Sequence, residues 1–104
     1  MKSIDIGRDF SRFPSGRYEK NGSTSGEAFR NKLLKPTLSE NETIEIFFDN
    51  AIGYGSSFLE EAFGGLIRNS TLKAEDFKKK FSLISSDESL KIEILDYVAR
   101  ASSK

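Results

Sequence analysis

An α/β fold, with helices laid on a small mixed sheet, is what this sequence predicts, and three features predict it. "TIEIFFD", residues 43–49, is β-branched and aromatic and apolar on both sides, the pattern of a central strand. A glycine-rich bend follows, and the period then becomes helical. Phe58, Ala62 and Leu66 recur every fourth residue beside a parallel row of Leu59, Phe63 and Ile67. Strand and helix patterns also alternate along the chain, which favours right-handed crossovers. The expected order is β-β-α-β-α-β-α, with four strands and about three helices in one domain spanning residues 1–104.

The elements follow in order. "SIDIGRDF" alternates Ile4 and Ile6 with polar neighbours and reads as a half-buried first strand. Pro14-Ser15-Gly16 and Asn21-Gly22 are strong breaks, and "GRYEK" between them is expected to pair back as a second strand. A helix is expected from Thr24 or Ser25, since Glu27 stands three residues after Thr24 in capping-box spacing. Phe29, Leu33 and Leu34 supply its apolar face, and Pro36 ends or kinks it. After the central strand and the long apolar helix, "KAEDFKKKF" reads as a short connecting helix and "FSLIS" as the last strand. Ser85 or Ser86 is expected to cap a final amphipathic helix carrying Leu90, Ile94, Leu95 and Val98.

Composition excludes much chemistry. Histidine and cysteine are both absent. No Ser-His-Asp triad, Cys-His pair, thiolate metal site or imidazole base can therefore be built from this chain. That leans against an enzyme, and no catalytic residue, metal ligand or cofactor is assigned. The lack of cysteine fits a reducing cytoplasm. There is no run of about 20 apolar residues to cross a bilayer, and the N-terminus lacks the apolar block of a signal peptide. Formal charge sums to zero over 16 basic and 16 acidic residues. Residues 1–35 hold eight Lys or Arg against four Asp or Glu, and the remainder eight against twelve. The imbalance suits two halves that attract within one fold, or a basic surface for phosphate or an acidic partner. It is too interleaved for nucleic acid.

"GYGSSFLEEAFGGLIR", residues 53–68, concentrates the candidate site. Gly53 and Gly55 permit a sharp turn, and Ser56 or Ser57 suits an N-cap. The free amides of a helix start at Gly55–Ser57 also favour an anion. The nucleotide pattern Gly-x-Gly-x-x-Gly fails, because residue 58 is Phe. Gly64-Gly65 inside a helix costs roughly 1 kcal/mol per glycine against alanine, which calls for close approach of a neighbouring element or of a partner's backbone. Glu60 and Glu61 read as a solvated helix face. Arg30, one turn into its helix, is unfavourable for the helix dipole and needs a carboxylate such as Glu27 or Asp49, or a bound anion.

Taken together, "FSRFPSGRYEKNGSTSGEAFRNKLLKP", "IEIFFDN" and "GYGSSFLEEAFGGLIR" resemble the STAS-like domain family of unknown function. The resemblance runs over roughly residues 3 to 99. It implies kinship in fold to the bacterial anti-sigma-factor antagonists. In those proteins a serine at the helix start after a central strand is phosphorylated by a histidine-kinase-like ATPase. The matching positions are Ser56, with Ser57 beside it, although Gly55-Ser56-Ser57-Phe58 stands where the antagonists have Asp-Ser-Ser-Gly. Two readings follow. In the first the chain is a cytoplasmic bacterial regulatory domain, and Tyr54, Phe58, Glu60, Glu61 and Gly64 dock a histidine-kinase-like ATPase or related regulator, with serine phosphorylation as a switch. In the second it binds, or acts weakly on, a phosphate-bearing small ligand through Arg17, Arg30 and the Gly55–Ser57 helix start.

Overall fold

The computed structural model describes residues 2–101. Three parallel strands form the sheet, β1 (Lys2–Asp5), β2 (Ile44–Phe47) and β3 (Phe81–Ile84), in the spatial order β1-β2-β3. Between β1 and β2 runs a helical segment, α1, over residues 26–39. It begins as α-helix at Gly26–Phe29, widens to a π turn at Arg30–Leu34 and tightens to 3-10 geometry at Lys35–Ser39, where Pro36 removes a helical donor. α2 covers residues 56–68 and also carries a π turn, Glu60–Gly64, between α-helical ends. A short α3 spans residues 74–80, and α4 is Glu88–Ala101.

The expected second strand does not form, so the sheet has three strands rather than four and is parallel rather than mixed. The backbone of residues 15–17 is spent elsewhere. The Ser15 amide donates to the Thr24 carbonyl, and the carbonyls of Gly16 and Arg17 accept from the amides of Gly26 and Glu27. A loop thus satisfies the first orphan donors of α1 instead of a neighbouring strand. The cap of α1 is Ser25, whose Oγ accepts from the Ala28 amide at 3.1 Å. Glu27, expected to close a capping box, accepts from the Glu19 amide instead. α4 is capped by Asp87, which accepts from the amides of Ser89 and Leu90, and not by Ser85 or Ser86.

Register sets Ile4, Ile46 and Leu83 in one cross-strand row and Lys2, Ile44 and Phe81 in another on the same face. That face meets the helices. α1 packs against α2, and α2 against α4, so all three lie on one side of the sheet with α2 in the middle. Both apolar rows of α2 are buried there, and its phenylalanines stack with Phe29, Phe48 and Phe77. The opposite face presents Ser3, Glu45 and Ser82, then Asp5, Phe47 and Ile84. No helix among the described residues is long and apolar enough to cross a membrane.

Candidate functional site

The carboxyl ends of the three strands converge, and short polar bonds lace them together. Past β2, the Asp49 carboxylate accepts from the Ser85 hydroxyl and the Ser86 amide at the end of β3. Asn50 Nδ2 donates to Asp5 Oδ2 at the end of β1, 2.5 Å away. The chain then reverses at Gly53, whose φ of +72° is a conformation that a Cβ disfavours. Tyr54 follows, half-buried against Phe48 and Phe58, with its hydroxyl donating to the Phe48 carbonyl at 2.7 Å. Burial pushes its phenol above the ordinary range, and the charges of Asp5 and Asp49 push it further.

This lacing delivers Ser56 and Ser57 to the surface. The N-cap is Gly55, in extended geometry, and no side chain caps α2. Both serine side chains, expected as caps, are therefore first-turn residues on exposed positions. They are not equivalent. The Ser56 hydroxyl meets the phenol of Tyr97 on α4, whose own hydroxyl donates to Glu93 at 2.6 Å. Ser57 makes no such bond.

One turn further on, the charged residues singled out in the sequence form a single cluster with each other. Arg30 Nη1 donates to Glu61 Oε2 at 2.5 Å and to the Glu61 carbonyl at 3.1 Å. Arg17 Nη1 reaches Glu60 at 2.5 Å and Glu61 at 3.3 Å. Arg68 closes on Glu60 from the other side. Glu27, at 3.9 Å from Arg30, is a secondary partner, while Asp49 lies with β3 instead. The hydrogen bond from Arg68 holds the Glu60 carboxyl below its usual range, against a desolvation cost and with help from Arg17. Both anion candidates, Arg17 and Arg30, are thus matched by carboxylates of the chain itself.

The same cluster accounts for the glycine pair. A Cβ on Gly64 would stand 2.7 Å from Glu60 Oε2, and one on Gly65 would stand 2.5 Å from Arg30 Nη1. The glycines make room for guanidinium and carboxylate groups. Gly64 is buried, as are Phe58 and Glu61, so three of the five residues expected at a partner surface lie inside the molecule. Phe58 is packed among Phe10, Phe29 and Tyr54. Tyr54 and Glu60 are half-buried.

What the surface offers beside the serines is a pair of apolar loop tips. Phe13 and Ile52 are 66% and 61% exposed, and the Ile52 amide donates to the Arg12 carbonyl at 2.7 Å, holding the two loops together. The sequence reading missed this pair. Its signal was an isoleucine in "DNAIGYG" with no periodic apolar partner, and a phenylalanine before Pro14 inside a turn-forming run. Arg68 was missed too, although it stands eight residues after Glu60 on one helix.

A family model, the STAS-like domain of unknown function (DUF4325), matches residues 25–91, well over half of the chain. The match runs from the cap of α1 into α4, a narrower span than the resemblance suggested. No curated protein and no solved structure matches the chain.

Proposed function

Because the chain belongs to the STAS-like domain family of unknown function, we propose that it is a regulatory protein-interaction domain, and that partners dock on the carboxyl edge of its sheet. The observation that carries this reading is the exposure of Ser56 and Ser57 at the start of α2 with neither side chain used as a cap. Phe13 and Ile52 lie on loops of the same edge and supply the apolar area from which an interface draws most of its energy.

In the finer form of the proposal the partner is a bacterial ATPase of the histidine-kinase-like fold, and its ATP switches the contact. The serine oxygen attacks the γ-phosphorus, ADP leaves, and the hydroxyl proton passes to a base on the ATPase, since this chain has no histidine to take it. The product carries roughly two negative charges beside the exposed apolar tips. Those charges suit the N-terminus of α2 but oppose docking of any surface selected for the neutral hydroxyls. Ser57 is the freer acceptor, whereas Ser56 must first leave Tyr97.

The test is to incubate the chain with the ATPase encoded beside its gene, with and without ATP. Complex formation that Phe13→Asp or Ile52→Asp abolishes is expected, with loss of the complex when ATP is present. One phosphoryl group should appear by mass spectrometry and vanish in Ser56→Ala/Ser57→Ala. A complex indifferent to all four positions would place the contact elsewhere and refute the reading. The phosphate-ligand alternative gains no support from the geometry, since Arg17 and Arg30 are already held by Glu60 and Glu61.

A further inference from the structure

β3 and β1 are the two edges of the sheet, and they are finished differently. On β1 the amide of Asp5 is taken by Asp9 Oδ2 at 2.8 Å, which blunts that edge against a further strand. On β3 the Ile84 carbonyl accepts from the Phe48 amide, so the backbone of Ile84, and by alternation that of Ser82, points toward β2. Phe81 and Leu83 therefore point outward. The Phe81 amide is spent closing α3 on the Phe77 carbonyl. Leu83 is left with its N–H and C=O on the open side. Beside it runs a groove floored by Phe77, Leu83 and Leu95, with Ile92 67% exposed and Lys78 and Glu88 at its rim.

We propose that β3 is the edge through which two copies of this chain associate, pairing antiparallel about a two-fold at Leu83 and joining the three strands of each copy into one continuous sheet. The charge pattern of the flanks selects a second copy as the occupant. In "KKKFSLISSDE", residues 78–88, Lys78 and Glu88 lie equally far from Leu83 on opposite sides, as do Lys79 and Asp87. Antiparallel pairing about Leu83 sets Lys78 of one copy against Glu88 of the other, and Lys79 against Asp87, at both ends of the dyad. Parallel pairing would oppose like charges. Lys78 has no ion-pair partner within the described residues, and Glu88, paired to Lys91, is largely exposed. The Leu83 backbones exchange two hydrogen bonds, as a directly opposed antiparallel pair does, and Ile92 is covered.

Sedimentation equilibrium over a range of protein concentrations tests the proposal, together with amide exchange at Leu83. Wild type is expected to show a monomer–dimer equilibrium, weakened by salt, with Leu83 protection that rises with concentration. Lys78→Glu or Glu88→Lys alone should each weaken the dimer by about tenfold, because each converts two symmetry-related attractions into repulsions. The double variant Lys78→Glu/Glu88→Lys should restore it. All three changes are on the exposed surface, and circular dichroism checks that the fold persists. A chain that stays monomeric up to NMR concentrations overturns the proposal. So does a dimer that ignores the charge reversals and leaves the Leu83 amide exchanging at one rate throughout.

Discussion

At Arg30 the guanidinium is 6% exposed and donates to two oxygens of Glu61, its carboxylate and its carbonyl. A cation one turn into a helix signalled a bound anion, and the anion is a side chain of α2. Buried pairs of this kind hold elements in register more than they add net stability, and their cost appears when one member is removed. Arg30→Met leaves the Glu61 carboxylate buried, but Arg17 and Arg68 still stand 3.3 and 3.5 Å from it. The loss should therefore sit at the low end for a broken buried pair, about 2 to 3 kcal/mol by urea unfolding. The double variant Arg30→Met/Glu61→Leu removes both desolvated charges and should recover most of that. If the single change cost under about 1 kcal/mol, the pair would be no more than a surface contact.

α1 and α2 approach so closely that a Cβ on Gly26 would stand 2.4 Å from the Phe58 carbonyl and 3.1 Å from the Ala62 amide. These are backbone atoms and cannot rotate away. Gly26→Ala should accordingly destabilise by about 1 to 3 kcal/mol, the cost of overpacking, despite alanine's better helix propensity. A neutral or stabilising result in chemical denaturation would show that the helices can part freely. Gly26 had been read only as part of a helix start. Periodicity reports which face of one helix is apolar, and it is silent on how near a second helix comes. For the same reason the central strand, the two rows of α2 and the capping of α1 by a hydroxyl were legible, because each is a local property. The missing second strand was not. "GRYEK" has strand-compatible residues, and only the demand of α1's first amides for the carbonyls of Gly16 and Arg17 decides its path. Phe58 and Gly64 were placed outside because their neighbours Ser57 and Glu60 are polar. The π turn at Glu60–Gly64 and the arginines from three separate segments bring that whole face inward.

Across the whole molecule, holding strength is uneven, and residues 11–24 are the weakly held part. β2 is bonded on both sides and buried under three helices, whereas this loop is tied by a few backbone bonds and by Arg17. Local opening of such segments proceeds without global unfolding. Arg17→Ala should therefore lower the exchange protection of the Ser15, Gly26 and Glu27 amides severalfold while leaving β2 amides and the melting temperature nearly unchanged. Acid should do the same to wild type. Glu60's folded pKa is depressed, chiefly by its bond to Arg68 and secondarily by Arg17. Its contribution is thus fully present above the ordinary glutamate value of about 4.3 and is lost as pH falls through the lower, folded value. As Glu60 takes up its proton, Arg17 loses its nearest carboxylate, and the intrinsic-rate-corrected protection of those amides should fall toward that of Arg17→Ala. The loop also carries Phe13, one of the two apolar tips of the proposed docking edge. Loosening it should then weaken partner binding in Arg17→Ala even though no partner touches Arg17. Uniform loss of protection across the sheet in that variant would instead make Arg17 a support of the entire fold and sever the link between loop and docking edge.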